Sequence, residues 1–102
     1  MDLRVKVILS ANRALLGAIT PNLRGITIDF NEQILILRAY FDRAANEDEK
    51  EQVDISLTEM IADLYQDIEK YRYEPVDLAF PLKMESLKEW IYKRYENFEN
   101  CA

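Results

Sequence analysis

The chain has no histidine, one cysteine, two glycines and three prolines in 102 residues. Each scarcity excludes something. Without histidine, the commonest general base, metal ligand and triad member is missing. Ser10, Ser56 and Ser86 therefore have nothing to activate them, and no GxSxG or SxxK motif accompanies them. Two glycines cannot build a Walker loop or a GxGxxG turn. The lone Cys101 makes neither an internal disulfide nor a zinc site, which fits a reducing compartment. No apolar run approaches the ~20 residues that span a bilayer. The N-terminal stretch MDLRVKVILSANRALLGA superficially suggests a secretion signal, but Asp2, Arg4, Lys6, Asn12 and Arg13 interrupt it. The expectation is a cytoplasmic, non-enzymatic protein with no catalytic residue, no cofactor, no metal and no membrane partner.

What is present is enough for a folded core. The chain is 49% hydrophobic and 31% charged, which argues against disorder, and residues 1–102 read as one domain. Net charge is −6 and unevenly placed. Residues 1–41 carry five basic and three acidic side chains, residues 42–63 two and eight, and residues 64–102 six and eight. The middle segment alone thus matches the total. No basic face is supplied for nucleic acid, so direct nucleic-acid binding is not expected. An acidic patch suits a cationic partner or simple solubility.

Leu3, Val7, Ala11, Ala14 and Leu15 recur at helical spacing, with Gly17 as the stop. Val5, Val7 and Leu9 also read as a strand. Gly25 to Phe30 alternates as a half-buried strand, Asn31-Glu32 turns, and Gln33 to Asp42 is apolar on both faces, as an interior strand is. Asn46 with Glu49 forms a capping box, and Glu47, Asp48, Glu49 and Glu51 suit the positive end of a helix. Val53, Leu57, Met60, Ile61 and Leu64 then form one stripe, of which Met60, Ile61 and Leu64 are expected to pack on Ile26, Ile28, Ile34 or Ile36. Ile68 to Leu78 reads as a strand, with Tyr71 and Tyr73 on one parity and Pro75 marking an edge, a bulge or an end. Phe80-Pro81-Leu82 is a connector. The last segment is open between a helix stripe of Met84, Leu87, Ile91, Tyr95 and Phe98 and a strand with Trp90, Tyr92 and Arg94 on one face. The fold class is α+β, an antiparallel sheet of about four strands covered on one face by two helices, in the order α-β-β-α-β-β.

Three clusters carry candidate chemistry. Asn46-Glu47-Asp48-Glu49 superficially suggests a calcium loop, but EF-hand spacing and the central Gly are absent. Glu59 and Asp63, four apart on one helix face, are a weak acid/base candidate against a solvated face. Tyr71, Tyr73, Trp90, Tyr92 and Tyr95, interleaved with Lys70, Arg72, Lys93 and Arg94, fit three readings: core and rim, a protein-binding surface, or a stacking platform for nucleic acid. Glu69, Glu74, Glu89 and Glu96 argue against the third. The candidate partner-binding residues are Glu47, Asp48, Glu51, Asp54, Tyr71, Tyr73, Trp90 and Tyr92.

RALLGAITPNLR, the hairpin ITIDFNEQILILRAYFD, ANEDEKE entering a helix with TEMIADLY, and the closing Pro81-Leu82 and Trp90-Ile91-Tyr92-Lys93-Arg94 carry a family likeness. From about Asn12 to Arg94 the chain resembles small bacterial immunity proteins of contact-dependent growth-inhibition or polymorphic-toxin systems (CdiI-like). The resemblance implies a closing strand and a cytoplasmic antitoxin that binds the C-terminal toxin domain of a sibling cell's effector. Such toxins are often basic nucleases, which an acidic inhibitor complements. The spacer MESLKE is longer than in those relatives, which leaves the register of the last strand open. A different function class also fits: a small structural or interaction protein, homodimeric through a sheet edge.

Overall fold

The computed structural model describes residues 2–43 and 45–97. Phe98 and Cys101 lie outside the described residues. The elements are α1 (Leu3–Ala14), β1 (Leu23–Phe30), β2 (Ile34–Phe41), α2 (Glu47–Leu64), β3 (Lys70–Asp77) and β4 (Glu89–Lys93). The first segment is a helix: Asp2 caps it by accepting from the Val5 N–H at 2.9 Å. Val7, Ser10, Ala11 and Ala14 form its buried face, a spacing that a strand would scatter. Gly17, at φ 83°, ends the following turn in a conformation that disfavours a side chain. α2 begins on the expected capping box.

The strands lie in the order β3-β2-β1-β4. β1 pairs antiparallel with β2 and with β4, but β2 and β3 run parallel, from Ile34 opposite Lys70 to Phe41 opposite Asp77. The sheet is therefore mixed, not antiparallel as expected. The cause is α2: an 18-residue helix carries the chain back to the end where β2 began, as parallel strands require. β2 is interior, and Pro75 sits on the edge strand, where its missing N–H costs no ladder bond to a further strand.

Both helices contribute to one core over a single sheet face. Val7, Ala11, Val53, Leu57, Met60 and Leu64 cluster with Ile26, Ile28, Leu35, Leu37 and Phe41. Ile34 and Ile36 do not belong to it. The buried parity of β2 is Leu35, Leu37 and Ala39, and a two-residue side-chain period sends its isoleucines to the other face. That face is crossed by residues 78–88, where Tyr40 Oη donates to the Glu85 carbonyl and Thr27 Oγ1 accepts from the Leu87 N–H.

Two register slips flank the centre of β1. Leu23 opposes Phe41 and Gly25 opposes Tyr40, so Arg24 is extra. Tyr92 opposes Ile26 and Trp90 opposes Thr27, so Ile91 is extra. The second slip overturns the expectation that Trp90 and Tyr92 share a face. Tyr92 turns toward the helix-side core, while Trp90 lies against Tyr40, 6.4 Å between ring centroids, on the other side.

Leu57 is 2% exposed and Ile61 only half-buried. Leu57→Asp places an unpaired carboxylate in the core and is expected to cost about 3–5 kcal/mol; Ile61→Asp costs less, since its carboxylate can reach water. Urea unfolding measures both. A Leu57→Asp protein as stable as the parent contradicts this packing.

Candidate functional site

The eight candidate residues fall at three places. Glu47, Glu51 and Asp54 lie on one stripe of α2, three and four residues apart. With Lys50, Tyr73 and Pro75 they line a groove of about 350 Å³ between α2 and β3. Tyr71 shares the Tyr73 side of β3 and stands farther along, beside Ile61, Leu64 and Ile68. Asp48 is exposed on α2 outside the groove lining. Trp90 lies on the opposite sheet face, and Tyr92 lines a shallow cleft with Asn12, Leu15, Leu16, Ile19 and Ile91.

The groove is electronegative. The Glu47 side chain is 94% exposed, with Lys50 3.9 Å away. Lys50 is claimed by Asp77 at 2.9 Å. Glu51 and Asp54 have no side-chain partner among the described residues. Tyr73 donates from Oη to the Lys50 carbonyl at 2.8 Å. Burial first, then the charges of Asp54 and Glu47, push its pKa up, so the phenol stays neutral and its ring offers an apolar floor under an acidic rim.

Two contacts hold α2 in place. Glu49 completes the capping box and also accepts from Thr20 Oγ1 at 2.6 Å and Asn22 Nδ2 at 3.1 Å. These bonds, Thr20 foremost, hold its carboxyl below the usual value. The Thr20-Pro21-Asn22 corner is thus a docking point for the helix start. Beside it, Arg24 is fully buried. It donates from Nε and Nη2 to the two oxygens of Glu96, at 2.7 and 2.9 Å, and from Nη1 to the Leu78 carbonyl at 2.7 Å. Arg94 then bridges Glu96, Asp42 and the Pro21 carbonyl. Burial alone would lower the Arg94 pKa, and its bonds to Asp42 and Glu96 more than reverse that.

Glu59 and Asp63 do not form an acid/base pair. Glu59 is exposed, and Asp63 accepts from Arg13 and Ser10, which lower its pKa in that order. Among the described residues no cluster of His, Cys, Asp and Glu is arranged to hold a metal, and no helix is long and apolar enough to cross a membrane. Sequence reasoning missed the Arg24–Glu96 pair. The available signal was an arginine wedged between Leu23 and Gly25 at the start of a strand whose Ile26, Ile28 and Phe30 face the core, a place where a charge needs a partner.

A family model described as MafI2 immunity protein matches residues 4–96, and the chain belongs to that family. No curated protein matches the chain.

The carboxylates of the buried network make stability depend on acid. The bond from Arg94 is the largest cause holding Asp42 down from 3.8 to about 2; Glu96 is lowered too, chiefly by Arg24. A depressed folded-state pKa means the unfolded chain binds the proton more tightly. The stabilisation is therefore present above about pH 4 and lost as pH falls through about 2. Urea unfolding across that range should show the parent losing stability. In Asp42→Asn the loss should be smaller by up to about 2 kcal/mol, from a lower starting stability. A parent with flat stability from pH 5 to pH 2 contradicts the assignment.

Proposed function

We propose that this MafI2-family protein is a cytoplasmic, non-enzymatic immunity protein that occludes a basic toxin domain, a nuclease by charge, through the α2–β3 side. The observation that carries the reading is the shared groove of Glu47, Glu51, Asp54 and Tyr73. Unneutralised carboxylates attract a cationic partner over distance, and a half-buried tyrosine gives it an apolar contact at close range. Tyr71 extends that contact, and Asp48 adds to the field. Trp90 and Tyr92 lie elsewhere and are not part of this face.

A homodimer joined through a sheet edge is the other reading, and both edges speak against it. The β3 edge carries Pro75, and β4 has five residues and a bulge at Ile91. Prolines, bulges and short strands all discourage edge pairing.

Long-range attraction raises the association rate and is screened by salt, with a Debye length of about 8 Å at physiological ionic strength. Glu51→Lys with Asp54→Lys should slow association with the cognate toxin domain several-fold at low salt, the gap closing by ~0.5 M. Both positions lie past the first turn of α2, so capping is spared. Stopped-flow mixing measures the rates, and circular dichroism checks the helix. Equal low-salt rates for parent and variant defeat the steering role. A chain that ignores the toxin and sediments as a dimer favours the other reading.

A further inference from the structure

The sheet face away from the helices holds a second feature, which the toxin-binding reading does not use. Lys83, Met84, Trp90, Lys93, Arg94, Tyr95 and Glu96 line a cavity of about 390 Å³, within the size range of small-molecule sites. Its walls are set by the fold. Gly25 lets Trp90 and Met84 lie flat on β1: a Cβ there would come within 3.0 Å of Met84 Sδ and of Trp90 Cζ3. Arg94 and Glu96 are fixed by their bonds to Asp42 and Arg24, so their charges are spent within the protein. The charges left over are both positive. Lys83 has no partner among the described residues, and Lys93 has only the Trp90 ring, its Nζ 5.0 Å from the centroid. Tyr95, 87% exposed, adds a second aromatic wall.

In a chain of net charge −6, two unspent ammonium groups beside two aromatic rings form a distinct chemical environment. Such a site suits a ligand with a planar ring and an anionic group. The ring stacks on Trp90 or Tyr95, as bases stack on aromatic side chains. The anion draws Lys93 off the indole face and takes Lys83 as a second donor; lysine meets a phosphate as a point charge. We propose that this cavity is a binding site for a free nucleoside monophosphate. The proposal is independent of how the protein meets a toxin.

Trp90 is the sole tryptophan, so indole emission reports on this cavity alone. Full-length protein is titrated with adenosine 5′-monophosphate, with adenosine, and with inorganic phosphate, using red-edge excitation and calorimetry in parallel. The monophosphate should give a saturable change below roughly 1 mM, and adenosine and phosphate should each bind at least roughly tenfold more weakly. Lys83→Ala with Lys93→Ala should weaken the monophosphate roughly tenfold while melting like the parent, since both lysines are exposed. No saturable change, equal affinity for phosphate alone, or an unaltered double variant each overturns the proposal. So does a response seen only with an oligonucleotide, which points to a strand-binding surface instead.

Discussion

A guanidinium withdrawn wholly from water must be met by acceptors, or it leaves an unpaired buried charge costing several kcal/mol. In this protein the guanidinium is Arg24, and two separate parts of the chain meet it. Glu96, from beyond the last strand, takes the bidentate face; Leu78, just after β3, offers a carbonyl; the Phe80 ring lies 5.8 Å from the guanidinium carbon. Arg94 and Asp42 extend the network to the end of β2 and to the Pro21 corner. Substituting apolar residues for such a pair often costs little, whereas removing one member costs much. The network's contribution is therefore one of arrangement. It forces the ends of β1, β2 and β3 and the C-terminal tail to one place.

The arrangement reaches the candidate face through a short chain of contacts. The corner that Arg94 holds by the Pro21 carbonyl is the same corner whose Thr20 and Asn22 hold Glu49. Glu49 caps α2, and α2 carries Glu47, Glu51 and Asp54 in a fixed relation to Tyr73. An inhibitor that presents a preformed surface loses less entropy on binding than one that must order it. The cleft at Tyr92 and the cavity at Trp90 also depend on this frame, because the slip at Ile91 splits those side chains between two faces.

Local chemistry was legible in the sequence. Asn46 with Glu49, Gly17 after an apolar helix, and the alternation of Ile26, Ile28 and Phe30 each state their structure within a few residues. The matched motifs also indicated the immunity family and the closing strand. What escaped was non-local. Parallel pairing of β2 with β3 is written in no residue of either strand; it follows from where α2 delivers the chain. The slips at Arg24 and Ile91 are single-residue shifts, and each moves side chains to another face. The slip at Ile91 is why Trp90 and Tyr92 fell on different faces, whereas Ile34 and Ile36 were misplaced because a strand apolar on both faces does not show which parity meets the helices.

The central claim is that the α2–β3 side is the face a toxin covers. Backbone and methyl NMR of the labelled protein, with and without the cognate toxin domain, tests it most directly. The account predicts perturbations concentrated on residues 47–54 and 70–75, including Tyr71 and Tyr73, with the Trp90 indole signal unchanged. Perturbations centred on Trp90, or on the cleft of Leu16, Ile19 and Tyr92, with residues 47–54 silent, would contradict it.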